Sequence, residues 1–262
     1  MSGWDYELAQ TSLTGDREVN QDRCGLIRQG HALLLVLADG MGGHPNGEIA
    51  AQVAVDCFVQ AFAKSAQAIR DPALFLRERV LQAHGEINAY GQRQVPPIEP
   101  RTTLVAALVE PTRATWIHLG DSRLYLLRDG ETLTQTKDHS YVRMLVEQGT
   151  LQEKEIDTHP LRNYVTRCLG GGPEAPEPSL GSWQGLRAGD LLLLCSDGLW
   201  ASLGDARLGQ ALADRSTPLQ PLLTKLTEGA RSEAYPRSDN VSAVAVRLLA
   251  PPAGADAESA VE

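Results

Sequence analysis

What the 262-residue chain lacks narrows the field first. No apolar run approaches the roughly 20 residues that a membrane-crossing helix needs. The opening Met1-Ser2-Gly3-Trp4-Asp5 has neither the basic start nor the apolar core of an export signal, so a cytoplasmic location is expected. The four cysteines, Cys24, Cys57, Cys168 and Cys195, are scattered, and no two have the close spacing of a zinc site. Cys57 and Cys195 stand inside apolar segments, where a reduced thiol packs as a small hydrophobe. There is no basic stripe against the net charge of −9, which argues against a nucleic-acid binder. No long internal repeat is visible, so a solenoid is not expected.

What is present is ordinary for a globular chain: 42% hydrophobic and 22% charged, enough to bury a substantial core. Tyr6 to Thr11 alternates loosely, and Ala32 to Ala38 is a continuous apolar run suited to a strand covered on both faces. Two helices follow. One starts near Asn46 and carries Ala50, Ala54, Phe58 and Phe62 on one stripe; the other opens at Asp71-Pro72 and carries Leu76, Val80, Ala83 and Ile87. Such stripes need a sheet to cover. Gln92 to Pro100 reads as a proline-containing loop. Strands are predicted over Thr103–Val109, Thr115–Leu119, Leu124–Leu127, Thr132–Thr134, Leu191–Cys195 and Val241–Leu248, with helices over His139–Gln148 and Leu219–Ala230. Gly170 to Pro178 is rich in turn residues, and the stretch from Ala250 has the composition of a disordered tail. The order of elements suits an α+β layered fold rather than βαβ repetition.

Aspartates recur where these apolar runs end. Ala32–Ala38 runs into Asp39-Gly40, Leu191–Ser196 into Asp197-Gly198, and Trp116–Gly120 into Asp121, while Asp239-Asn240 precedes the last strand. One strand-end Asp before Gly is commonly a turn residue. Four of them, partly desolvated and mutually repelling, point to compensation by cations. An oxygen-only set without His or Cys favours Mg²⁺, Mn²⁺ or Ca²⁺ over zinc. In Asp39-Gly40-Met41-Gly42-Gly43 the glycines permit close backbone approach, so the Gly40 carbonyl is a further candidate ligand.

A series of short segments resembles, in order, the signatures of the metal-dependent protein phosphatases of the compact bacterial protein phosphatase 2C-like type. These are Arg17-Glu18-Val19-Asn20-Gln21-Asp22, Asp39-Gly40-Met41-Gly42-Gly43-His44, Arg101-Thr102-Thr103 and Gly120-Asp121-Ser122-Arg123, followed by Lys137-Asp138-His139-Ser140 and His159-Pro160-Leu161-Arg162-Asn163. Val165 to Gly170, Ser196-Asp197-Gly198-Leu199-Trp200 and Ser238-Asp239-Asn240-Val241-Ser242 complete the set, which spans about residues 6–248.

The resemblance implies a four-layer α-β-β-α sandwich: two antiparallel sheets flanked by helix pairs, with a metal centre at one end. It implies one catalytic domain over residues 1–249, with a flap over about 138–165 and a tail over 250–262. By the same resemblance Asp39 bridges two Mg²⁺ or Mn²⁺ ions, the Gly40 carbonyl binds one, and Asp197 and Asp239 hold the other. Asp22 supports the cluster, Asp121 with Asp197 forms a possible third metal site, and Arg17 clamps phosphate. His44 is the candidate proton donor, because Met41 stands where some relatives place a histidine. Gln21 stands where many relatives carry Glu. The implied reaction is hydrolysis of phosphoserine and phosphothreonine in proteins by a hydroxide shared between metals, reversing a bacterial Ser/Thr kinase. A monomer is expected, with no nucleic-acid or membrane partner. No cysteine lies in a Cys-x5-Arg loop, which argues against a thiol mechanism. The flap acids Asp138, Glu147, Glu153, Glu155 and Asp157 either select substrates or form a solvated face. Two other readings remain open: a metal-dependent hydrolase of small phosphate esters, and an inactive binding or scaffold module.

Overall fold

In the computed structural model, which describes residues 5–65 and 69–249, most of the apolar runs read from the sequence are strands. In chain order the elements are β1 (Asp5–Leu13), β2 (Asp22–Gln29), β3 (Ala32–Asp39), α1 (Gly47–Lys64), α2 (Pro72–Gln92), β4 (Arg101–Thr102), β5 (Leu104–Glu110) and β6 (Arg113–Leu119). They continue with β7 (Arg123–Arg128), β8 (Glu131–Gln135), α3 (Tyr141–Glu147), a 3₁₀ turn (Glu153–Thr158), β9 (Leu169–Gly170) and β10 (Ser179–Gln184). β11 (Leu191–Cys195), α4 (Asp197–Leu203), α5 (Asp205–Leu212), α6 (Leu219–Ala234) and β12 (Val241–Leu249) complete the described chain. The tail expected from Ala250 lies outside the described residues.

Two five-stranded sheets form, one in the order β1-β12-β11-β7-β8 and the other β10-β6-β5-β3-β2, with every neighbouring pair antiparallel. Their inner faces meet through Leu33, Leu35, Leu37, Val105 and Ala107 on one side and Leu124, Leu126, Leu192, Leu194, Val244 and Val246 on the other. β3 reads as an unbroken apolar run because its alternate residues Leu34, Val36 and Ala38 face outward into the core beneath α1 and α2. The predicted stripes of those two helices are all buried there. On the far side α4, α5 and α6 cover Leu191, Leu193, Cys195, Ala243 and Ala245. The result is the expected four-layer α+β sandwich. No helix among the described residues is long and apolar enough to cross a membrane.

Local chemistry explains the boundaries. Asp71 caps α2 by accepting from the Leu74 amide (2.9 Å), and Pro72 occupies the first helical position. Asn46 does precede α1, but its backbone is left-handed (φ 59°) and its side chain donates to the Tyr90 hydroxyl (2.9 Å) instead of capping. β2 and β10, α4 and α5 are not evident from the sequence. In β2, Gly25 interrupts the pattern for a packing reason: a Cβ there would come within 2.7–3.1 Å of Val59, Val36 and Val55 side chains. The glycine therefore lets α1 lie directly on the strand.

Candidate metal centre

Antiparallel pairing decides which chain ends share one end of the sandwich. The ends of β1, β3, β6 and β11 and the starts of β2, β5, β7 and β12 fall together there. The strand-end aspartates thus converge although they are far apart in sequence. Asp22 opens β2 directly opposite Asp39 at the end of β3, on one sheet. Asp197 follows β11 and Asp239 precedes β12 on the other sheet, and Asp121 sits in the turn from β6 to β7, which belong to different sheets.

A cleft of about 550 Å³ opens at this end, with Arg17, Asp39, Gly40, Asp121, Asp197 and Asp239 in its wall. Gln21, Met41, Thr103, Asn163, Val165 and Asn240 also line it. Asp22 lies behind the wall, 2% exposed. The Ser196 hydroxyl donates to its Oδ2 (2.8 Å), whereas Oδ1 is buried without a hydrogen-bond partner among the described residues.

The backbone around Asp39 is stitched in place. Its N–H donates to Thr103 Oγ1 (3.0 Å), and its carbonyl accepts from the Thr103 amide and from Thr102 Oγ1 (2.8 Å each). Gly40 N–H donates to the Gln21 carbonyl (3.1 Å), and a Cβ at Gly40 would run into the backbone of Gly47. This glycine is therefore required by the close approach of α1 to the loop.

Electrostatics match the convergence. Burial, followed by the charges of Asp22, Asp197, Asp121 and Asp239, raises Asp39 well above the ordinary carboxylate value. Asp197 is likewise raised by burial and then by Asp121, Asp239 and Asp22. Asp39 and Asp197 both keep partial contact with solvent through the cleft, so repulsion among neighbours matters beside desolvation. Burial also pushes Asp121 up to about 7 and Asp22 to about 6.

Among the described residues, no three His, Cys, Asp or Glu side chains close into a finished ligand cage. Asp239 is drawn aside by Arg17 (2.8 Å) and by the Asn240 amide (2.8 Å). An open array of hard carboxylate oxygens, one of them orphaned, fits cations that retain several waters, as Mg²⁺ and Mn²⁺ do, and does not fit a caged zinc.

His44 is not brought into the cleft. It lies near Arg101 and Glu99, and burial together with the Arg101 charge lowers its pKa, so it is neutral at pH 7 and a poor proton donor. Residues that the sequence showed only as parts of the motif segments, without a role, complete the site. Arg123 forks onto Asp138 (2.8 Å to each oxygen), reaches Asp205 (3.1 Å) and lies 3.4 Å from the Trp200 ring centroid. Trp200 Nε1 donates to the Asp121 carbonyl (3.0 Å). His139, just before α3, grips Gly120 through backbone and ring (2.8 and 3.3 Å) and stacks on His118 (4.5 Å). The turn that carries Asp121 is thus clamped to the segment that leads into α3.

A back-to-back antiparallel sandwich with an oxygen-only acidic cleft at its open end defines a class, the metal-dependent phosphatases. The chain belongs to the protein phosphatase 2C family, whose profile matches residues 9–238. It is 37% identical over 213 residues to the serine/threonine protein phosphatase PstP of Mycobacterium tuberculosis, covering 78% of this chain and 40% of that relative. The chain therefore matches less than half the length of that curated protein. Serine/threonine phosphatase Stp1 from Staphylococcus aureus superposes with a TM-score of 0.86 at 30% identity, covering 95% of this chain and 97% of that one. The catalytic domain of PstP in complex with two manganese ions superposes at 0.77 with 33% identity, covering 94% and 99%.

Proposed function

We propose that the chain removes phosphate from phosphoserine and phosphothreonine in proteins, with Mg²⁺ or Mn²⁺ as cofactor, and so opposes a Ser/Thr protein kinase. The observation that carries this reading is the meeting of Asp39, Asp121, Asp197 and Asp239 from both sheets in one cleft, with Asp22 behind its wall, its buried Oδ1 unpartnered among the described residues, and Arg17 at the mouth. Asp39, paired opposite Asp22 and lining the cleft, would be shared by two such ions. The Gly40 carbonyl would help hold one and Asp197 with Asp239 the other, with Asp22 supporting them from behind the wall. Asp121 with Asp197 would take a third. Divalent ions held there supply an activated water nucleophile and charge neutralisation.

The rest falls to side chains. Arg17, more than half exposed at the cleft mouth, offers a planar fork for two phosphoryl oxygens and orients the ester for in-line attack. Burial and mutual repulsion disfavour the charged forms of Asp22, Asp39, Asp121 and Asp197, so bound cations would favour their ionisation. His44 stands outside the cleft, so we assign it no proton transfer. Among the described residues the lining contains no aromatic ring on which a nucleobase could stack, which favours a protein phosphoester over a nucleotide. The complete aspartate set argues against an inactive scaffold. The four free thiols suit a reducing compartment such as the cytoplasm.

The test is turnover of a phosphothreonine peptide against nucleoside monophosphates with and without Mn²⁺, with Asp39→Asn as control. Mn²⁺-dependent release from the peptide, absent in the control, is expected. Turnover confined to nucleotides, or turnover insensitive to chelation, would overturn the proposal.

A further inference from the structure

The loop of residues 14–21, which carries Arg17, runs between β1 and β2 without a strand partner of its own. Its polar groups are satisfied instead by the segment that precedes β12. Asp16 N–H donates to the Ser238 carbonyl (3.0 Å), and Ser238 N–H donates back to Asp16 Oδ2 (2.9 Å). Gly15 has φ +66°, and a Cβ at this position would run into the Asp239 carbonyl, so the loop lies flat on residues 238–240. Asn240 does the most. Its Oδ1 accepts from the Gln21 amide (2.7 Å), and its Nδ2 donates to the carbonyls of Thr14 (2.7 Å) and Val19 (3.1 Å). Both amide protons and the amide oxygen are used, and the bonds land on both shoulders of Arg17. The residue is 5% exposed, so water does not compete for these bonds.

The Arg17 side chain is 57% exposed and, among the described residues, is held through its ion pair with Asp239. An exposed guanidinium on a loose loop would spread over many positions, and a phosphate clamp needs a fixed root. We propose that Asn240 is a positioning residue for the phosphate-binding arginine, its amide standing in for the missing strand pairing of the Arg17 loop. The inference rests on the phosphate role given to Arg17 above.

The test uses the full chain with saturating Mn²⁺ and inorganic phosphate as competitive inhibitor of p-nitrophenyl phosphate hydrolysis. Arg17→Ala, Asn240→Ala and the double variant are compared. Arg17→Ala should weaken phosphate inhibition, and Asn240→Ala should weaken it by about tenfold. The double variant should match Arg17→Ala alone, because the second change acts through the first. Amide hydrogen exchange across residues 14–21 of the metal-free protein should accelerate in Asn240→Ala and stay unchanged in Arg17→Ala. A merely structural role would lower stability without this coupling. An equal loss of phosphate affinity in both backgrounds, or an unchanged inhibition constant in Asn240→Ala, overturns the inference and leaves the proposed function standing. An unchanged inhibition constant in Arg17→Ala instead sinks the phosphate role itself. Should Asn240→Ala not fold, Gly15→Ala lifts the same loop by another route and is judged by the same comparison with Arg17→Ala.

Discussion

The stability gap between Mn²⁺-loaded and chelated protein should widen as pH rises from about 5 to 8. The sign follows from the raised carboxyls. Asp22 and Asp121 move from the ordinary 3.8 to about 6 and about 7, and Asp39 and Asp197 rise as well. The unfolded chain releases these protons near pH 4, whereas the metal-free fold retains them to higher pH, so their stabilisation is present in acid and lost as pH climbs through about 6 to 7. A tenfold difference in proton affinity corresponds to about 1.4 kcal/mol, which makes the loss of order 3 kcal/mol for Asp22 and 4 kcal/mol for Asp121. These are large parts of a typical total of about 5–15 kcal/mol. At roughly 2–4 °C per kcal/mol for a chain of this size, either one alone is worth on the order of 10 °C. The histidines His84, His118 and His139, whose pKa values are lowered by desolvation, act with the opposite sign. They do so in both forms of the protein and cancel in the difference. Thermal unfolding followed by circular dichroism at pH 5, 6, 7 and 8, in EDTA and in Mn²⁺, reads the gap directly. Asp121→Asn should narrow it by raising the melting temperature of the chelated protein at pH 8. A gap of the same size at pH 5 and pH 8 would refute the electrostatic account.

Other outcomes are equally specific. Asp39→Asn should lower turnover of a phosphothreonine peptide by more than about 100-fold, with unchanged circular dichroism. Arg123→Ala leaves Asp138 nearly buried without its partner and should cost about 3–5 kcal/mol in urea unfolding, while Arg123→Lys should recover only part of this because an ammonium cannot fork. His44→Ala should change rates on p-nitrophenyl phosphate and on the phosphopeptide by less than about threefold, against the roughly 100-fold expected from losing a general acid; a loss confined to the phosphopeptide would reinstate it as proton donor. Gly25→Val should cost about 1–3 kcal/mol or more by forcing α1 off the sheet, read as a lowered urea midpoint.

Continuous apolar runs and helical stripes carried most of the fold in the sequence. Ala32–Ala38 and Leu191–Cys195 were legible because both of their faces are covered, and α1 and α2 because each buries a single stripe. β2 was hidden because Gly25 serves packing rather than a turn, and β10 because an edge strand with polar residues between Leu180 and Trp183 mimics a loop. α4 and α5 follow Asp197 in short apolar pieces that a local pattern cannot separate from loop. In the site, the strand-end aspartates were readable because charge abutting an apolar run is unusual. His44 was misleading, since spacing within the glycine-rich loop says nothing about which way a side chain turns. The partners of Asp22, Asp39 and Arg17 were invisible as such: Ser196, Thr103 and Asp239 lie 174, 64 and 222 positions away, and only the strand pairing brings them close.

Asp22 and Asp39 belong to one sheet, Asp197 and Asp239 to the other. A cation shared among them is therefore a clasp on a book whose covers are the two sheets. The spine lies at the far end, where the Tyr6 hydroxyl on β1 holds the His31 carbonyl in the β2–β3 turn (2.9 Å). Removing the clasp leaves the spine intact, so chelation should part the covers at one edge only and expose the Arg17 loop to proteases well before the whole sandwich comes apart.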